Sequence, residues 1–105
     1  MKNSIFYYNM DGEPIGREEA EELLWSAPKR RVALTKVGPY EVSTVLLCID
    51  HNFSSDTRPV IFETMVFCDD EKDPNYQDME RYCTKEAALK GHNEIVARLS
   101  ASDII

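Results

Sequence analysis

The sequence has no long apolar run, although 43% of its 105 residues are hydrophobic. The longest run, around residues 45–49, is far shorter than the roughly 20 apolar residues that a helix needs to span a bilayer. The amino terminus has one lysine followed by mixed polar and aromatic residues, which is not the pattern of a secretory signal. We therefore expect a cytoplasmic protein without a membrane partner.

Cysteine is also scarce: Cys48, Cys68 and Cys83 are the only three. Their number is odd and no two have C-x-x-C spacing, which argues against a disulfide framework and for a reducing compartment. Structural zinc sites usually contain close ligand pairs, and these are missing. No nucleotide-binding, serine hydrolase or zinc protease motif occurs. The sequence thus predicts no metal and no cofactor, and it favours a protein that is not an enzyme.

Basic residues are outnumbered, with 12 against 19 acidic residues and a net charge of −7. Nucleic-acid backbones and anionic membranes repel such a surface, so direct nucleic-acid binding is not expected. The acidic residues concentrate in residues 18–22 and 69–80. We interpret these segments as a solvated helix face and a solvated loop; the alternative is a surface that engages a basic partner.

Hydrophobic periodicity and turn signals predict a single α+β domain over residues 1–105, with an antiparallel sheet of about four strands and two helices packed on it. Turns are predicted at residues 9–12 and 38–39. Strands 41–49 and 60–67 are apolar at nearly every position, so we expect them to be central and buried on both faces. A long-looped hairpin would place Leu46 opposite Glu63. Residues 100–105 are expected to fray. The predicted strands cover residues 4–8, 32–37, 41–49, 60–67 and 80–83, and the predicted helices cover residues 17–27 and 85–99.

Three local predictions concern the helices. Pro28 should end the first helix, on which Trp25 is expected to be a packing residue. Thr84 is expected to cap the second helix. Gly91 costs about 1 kcal/mol in a helix relative to alanine, so we expect it to permit close approach to the sheet.

The densest group of reactive side chains follows strand 41–49: Asp50, His51, Asn52 and Phe53. An aspartate beside a histidine could orient the imidazole as a general base. Neighbouring residues on a strand point to opposite faces, so adjacency does not establish this coupling. The alternative is structural: Asp50 and Asn52 form turn hydrogen bonds, Phe53 fills the core and His51 is exposed.

Glu63 interrupts an apolar strand, where an unpaired carboxylate is costly to bury. A buried partner, a catalytic role with a raised pKa, or a sheet face open to solvent or forming a groove would each explain it. The candidate partners are Arg31, Arg81, His92 and Thr44. His92 falls on the apolar face of the second helix, where it could bond to Glu63. Together with the Asp50 loop, these side chains form the predicted ligand or partner site.

Several blocks resemble a family of small bacteriophage and bacterial proteins of unknown function. They are YNMDGEPI at residues 8–15, YEVSTVLLCIDHNF at 40–53, RPVIFETMVF at 58–67 and ERYCTKEAALKGHNEIV at 80–96. DHNF and IFETMVF are the specific parts. Ala87-Ala88 stands where the family pattern has Glu-Ala, so no role is assigned to Glu86. The resemblance implies a phage or prophage context, and therefore the cytoplasm of a host cell, but no activity.

Three functional hypotheses follow. The first is a non-enzymatic protein that binds a host protein, with inhibition of a bacterial defence system as its outcome, through an exposed patch rimmed by Asp69, Asp70 and Glu71. The second is a protein that binds a small ligand or nucleotide, or a small hydrolase, with a pocket at Asp50, His51, Glu63 and His92. The third is a homodimer formed through an uncovered apolar sheet face.

Overall fold

The computed structural model describes residues 7–50 and 59–103 and confirms a single α+β domain. Four strands form an antiparallel sheet in the order β3-β4-β5-β6, and the last helix packs on it. A small hairpin, β1-β2, and two short helices precede the sheet. The elements are β1 (Tyr7–Tyr8), β2 (Pro14–Ile15), α1 (Arg17–Leu24), α2 (Ala27–Arg30), β3 (Arg31–Val37), β4 (Tyr40–Leu46), β5 (Phe62–Phe67), β6 (Met79–Tyr82) and α3 (Lys85–Asp103).

The pairing of the two central strands differs from the prediction by one residue. Val45, not Leu46, lies opposite Glu63, and Thr44 lies opposite Thr64. Because side chains alternate between faces, this slip moves all the side chains of β5 to the other face relative to β4. In the structure, therefore, Thr64 lies on the same face as Thr44, and Glu63 lies on the opposite face.

The central strands are buried on one face only, so the prediction of burial on both faces was wrong. Residues alternate strictly between buried and partly exposed along β4 from Val42 to Leu46 and along β5 from Phe62 to Val66. Helix α3 covers the buried face. Central position in a sheet does not require a second covering layer, because antiparallel sheets commonly leave one face to solvent.

Tight turns join the strands of both hairpins. Gly38 and Pro39 connect β3 to β4, and Gly38 has φ +55°, a backbone conformation that favours glycine. In the first hairpin, the Asn9 side-chain oxygen accepts hydrogen bonds from the backbone N–H groups of Asp11 and Glu13, both at 3.0 Å. Both predicted turns are confirmed. Of the strand predicted at residues 4–8, Tyr7 and Tyr8 lie within the described residues and are extended.

The first helix is shorter than predicted. It ends at Leu24, and Pro28 lies inside the next short helix, so Pro28 is not the residue that stops it. Ser26 has an extended backbone and separates the two helices, which accounts for the early end. Only Ala20 of α1 is buried, and it packs with Leu46 in the core at the end of the sheet.

Helix α3 begins as predicted, because the Thr84 hydroxyl accepts a hydrogen bond from the Ala87 N–H at 3.1 Å. It continues to Asp103, so residues 100–103 are helical and do not form the frayed tail that we predicted. A Cβ atom at Gly91 would overlap the phenol ring of Tyr82 on β6. The predicted close approach at Gly91 is therefore confirmed. The Tyr82 ring occupies the space that a side chain at position 91 would fill. No helix in the described ranges is long and apolar enough to cross a membrane.

Candidate functional site

Asp50 lies just beyond the end of β4, where the chain changes direction. Cys48 takes φ +74°, and its carbonyl accepts a hydrogen bond from the Tyr8 N–H at 2.8 Å. The Asp50 carboxylate accepts a hydrogen bond from the Val60 N–H at 2.8 Å, across the base of the connecting loop. This is the structural role considered for Asp50. The other members of this cluster, His51, Asn52 and Phe53, lie outside the described residues.

The imidazole of His92 is buried between α3 and the sheet and is only 2% exposed. Its Nδ1 lies 2.7 Å from the Thr44 hydroxyl and its Nε2 lies 2.9 Å from the Thr35 hydroxyl. Thr44 is also hydrogen-bonded to Thr64 on the neighbouring strand. Both ring nitrogens of His92 therefore have partners, and these differ from Glu63, the partner that we considered.

Burial favours the neutral form of this histidine. Removal from water lowers the pKa of His92, because burial disfavours the charged imidazolium. Either neutral tautomer fits, since a threonine hydroxyl can donate to one ring nitrogen or accept from it. A neutral, fully bonded and buried imidazole has no route to a substrate. His92 thus acts as a cross-link between α3 and the sheet.

The polar network continues to the edge of the sheet. The Tyr82 hydroxyl donates a hydrogen bond to the Glu80 carboxylate at 3.1 Å. Burial raises the pKa of Tyr82, and the bond to Glu80 acts in the same direction, whereas a bond to Thr64 opposes it. Hydrogen-bonded groups thus extend from β3 to β6 beneath α3, and Tyr82 stays protonated at neutral pH.

Glu63 points away from α3 and pairs with Arg81 on the adjacent strand. The Arg81 Nε donates to Glu63 Oε2 at 3.0 Å, and the Glu63 side chain is 15% exposed. These residues are direct neighbours in the β5–β6 pairing, so the cross-strand ion pair follows from the register. The sequence had named Arg81 as one of four candidate partners. A pair of this kind on a sheet surface satisfies both charges without any catalytic role.

The described members of the predicted site do not converge on one cleft. Thr44 and His92 meet under α3, Glu63 lies on the opposite face of the sheet, and Asp50 lies at the base of the loop. Burial raises the pKa of the Cys48 thiol, which keeps this potential nucleophile protonated. Within residues 7–50 and 59–103, no group of three or more histidine, cysteine, aspartate or glutamate side chains could hold a metal ion.

The face of the sheet opposite α3, here called the open face, carries an apolar row across its strands. Leu34, Ser43, Met65 and Met79 occupy successive positions of this row on β3, β4, β5 and β6. Phe67 extends the row along β5. Leu34, Phe67 and Met79 are between 41% and 45% exposed. An apolar patch of this kind on a protein surface is typical of an interaction site.

Acidic residues follow the end of β5 in the chain. Asp69, Asp70 and Glu71 are all exposed, in the loop that follows Phe67. The next part of this loop is fixed to β4, because the Tyr40 hydroxyl donates a hydrogen bond to the Asp73 carboxylate at 2.7 Å. Bonds from the Asn75 N–H and from Tyr40 lower the pKa of Asp73. Tyr40 packs against the core cluster beneath α3, so this bond anchors the loop on the α3 side of the sheet.

Sequence reasoning missed the threonine partners of His92, and it offered an open sheet face only as one alternative, without identifying the residues on it. The signal for the first was that Thr64 lies at every-second-residue spacing from the apolar Phe62 and Val66 and so shares their face of β5. A correct register would have aligned Thr64 with Thr44. The signal for the second was weaker. Leu34, Met65 and Phe67 look like ordinary core residues in a strand, and only the absence of a covering layer over the described sheet exposes them.

A groove of about 450 Å³ lies where the first hairpin approaches the start of α3. Met10, Phe62 and Thr84 are among its lining residues, and none of the predicted site residues that the structure describes lines it. Comparison of the chain with models of protein families, with curated proteins and with solved structures finds no match. The resemblance carried by the DHNF and IFETMVF blocks therefore stays a prediction.

Proposed function

We propose that this chain is a small accessory protein of phage or prophage type that binds a host protein without catalysis and inhibits a bacterial defence factor. The observation that carries the proposal is the open face, where Leu34, Phe67 and Met79 are exposed together on a rigid sheet. Exposing large apolar side chains is unfavourable in water, at roughly 25 cal/mol per Å². A protein partner that covers them recovers this free energy.

The placement of the polar groups also supports binding over chemistry. His92 is sealed in the core, and Glu63 is neutralised by Arg81, so neither is left to transfer a proton. The pocket hypothesis needs Asp50, Glu63 and His92 in one cavity, and the described geometry separates them. No second function is therefore proposed.

The charge of the surface defines the chemistry of the partner. The loop that follows Phe67 on β5 carries Asp69, Asp70 and Glu71, and the whole chain carries a net charge of −7. A second copy of this chain would bring the same negative charge to the interface. A host protein with an apolar patch surrounded by lysine or arginine would be attracted, and its association would be accelerated at low salt.

Affinity capture from a lysate of the host bacterium tests this proposal. The bait proteins are the wild type and a double variant, Leu34→Lys with Met79→Lys, which places two cations on the open face. The matched control is Asn93→Lys with Ala97→Lys, which adds the same charge at exposed positions of α3. Equal melting temperatures of the two variants would show that both are folded.

One protein captured in stoichiometric amount by the wild type and by the control, but lost with the open-face variant, is the expected result. The captured protein is then purified, and its activity is measured with and without the chain. Retention of that protein by the open-face variant would contradict the assignment of the surface. Absence of any stoichiometric protein partner would contradict the function itself.

A further inference from the structure

Trp25 is the most exposed large hydrophobic residue of the described chain, at 88%. We had expected it to be a packing residue, and this was wrong. Its backbone N–H bonds to the Glu21 carbonyl at 3.0 Å, so it forms the last turn of α1 and projects where that helix ends. A fully accessible tryptophan is a common anchor of protein interfaces, where this residue type is enriched.

Trp25 forms one wall of a groove of about 340 Å³. The other lining residues are Tyr7, Arg17, Glu21 and Leu24. No residue of the four-stranded sheet takes part, so the groove is separate from the open face. Its volume is at the lower end of the range for ligand sites, roughly 300–1,000 Å³, which suits a single side chain better than a large ligand.

The lining chemistry selects for a cation. Tryptophan and tyrosine rings have electron-rich faces that attract ammonium and guanidinium groups, and the Glu21 carboxylate adds a full negative charge. Helix α1 has the sequence REEAEELL, with four glutamates against one arginine, so the surroundings of the groove are acidic. Nucleic acid and anionic ligands are repelled by the same charges.

The chain's own Arg17 already lies in this groove. Its Nε is 3.6 Å from Glu21 Oε2, and both side chains are more than half exposed. An exposed ion pair of this type contributes roughly 0–1 kcal/mol, so a cation from outside can replace it at little cost. The pair also shows that the Glu21 carboxylate is within reach of a guanidinium in the groove.

We propose that the groove formed by Tyr7, Arg17, Glu21, Leu24 and Trp25 binds a lysine or arginine side chain of a protein partner, with Trp25 and Tyr7 contacting the cation and Glu21 pairing with it. This site goes beyond the proposed function, because it is a second contact surface with its own selectivity. It does not require that the open face bind anything.

Trp25 is the only tryptophan in the chain, so its indole N–H signal in NMR reports on this groove alone. The probes are N-acetyl-arginine amide and N-acetyl-lysine amide, with N-acetyl-glutamine amide as the neutral control, all at constant ionic strength. We expect a saturable shift of the indole signal with the two cationic probes, in the millimolar range, and none with the neutral probe. No saturable shift, or an equal shift with the neutral probe, would overturn the proposal.

Two matched pairs of variants locate the binding site. Glu21→Gln should weaken binding of the arginine probe about threefold or more, whereas Glu18→Gln, on the same helix but outside the groove, should leave it unchanged. Arg17→Gln should strengthen binding because it removes the internal competitor, and Lys29→Gln serves as its control for the loss of one positive charge. Equal effects within either pair would reveal general electrostatic attraction and refute a specific site.

Discussion

Acidification should destabilise this protein through His92. The imidazole is neutral in the folded state because burial lowers its pKa, whereas in the unfolded chain it titrates near its ordinary value of 6.5. Between these two pKa values the unfolded state binds one more proton than the folded state. The free energy of unfolding is therefore fully retained above pH 6.5 and falls as the pH drops below it.

The free energy of unfolding falls by at most about 1.4 kcal/mol for each pH unit, since one additional proton bound by the unfolded state corresponds to that free energy per unit. At pH 5.5 the expected loss is thus about 1.4 kcal/mol, if the buried imidazole is still neutral there. A single domain is stable by roughly 5–15 kcal/mol, so this loss is easily measured. The Asp73 carboxylate, whose pKa is lowered by hydrogen bonds from the Asn75 N–H and from Tyr40, titrates below this window.

Urea denaturation at several pH values between 5.5 and 7.5 measures this slope for the wild type and for His92→Gln. The variant should be less stable at pH 7.5, but its stability should be nearly independent of pH across this range. The same measurement on His51→Gln, which removes the other histidine, separates the contribution of His92 to the slope from that of His51. Equal slopes for the wild type and His92→Gln would refute the assignment of a neutral, buried His92.

Three further predictions concern stability. Gly91→Ala should cost about 1–3 kcal/mol by overpacking against Tyr82, and Tyr82→Leu should reduce that cost in a double-mutant cycle measured by urea denaturation; additive effects would contradict the contact. Thr84→Ala should cost about 1 kcal/mol by loss of the helix cap, whereas Thr84→Ser should keep most of the stability, and equal melting temperatures of the two variants would contradict the cap. Glu63→Gln should cost about 1–3 kcal/mol, because the Glu63 side chain is only 15% exposed and the change removes the charge that pairs with Arg81, and the absence of any measurable loss would contradict a stabilising pair.

The elements that could be predicted are those with a strong local cause. The helix cap at Thr84 and the turn at Gly38 each depend on backbone chemistry within a few residues, and both are confirmed. Gly91 is recognisable as a poor helix former, and the close approach expected there is confirmed, although its partner Tyr82 lies on another element. The pairing of β4 with β5 failed by one residue. Both strands are apolar on both faces, so their pattern did not distinguish a register from its neighbour.

The predicted site depended on that register. With Glu63 and Thr44 assigned to one face, His92 could be placed near either residue. In the structure Thr44 aligns with Thr64, and the two threonines together with Thr35 satisfy the buried polar groups. Glu63 remains on the opposite face with Arg81. The sequence offered Arg81 as a partner but could not choose it, because that choice requires knowing which strand lies beside β5.

The sequence by itself determined the class of the fold, the strand and helix content of its apolar segments and the acidic character of the surface, since these depend on composition and local periodicity. Only the tertiary structure decided which apolar residues are covered. Leu34, Phe67 and Met79 are no more polar than Val42 or Leu46, yet they are exposed because α3 packs on one face of the sheet. Trp25 is exposed for a similar reason: α1 ends before the chain can bring its ring onto the core. The exposure of a side chain depends on which residues distant in sequence pack against it in the fold. A local sequence pattern does not identify those residues.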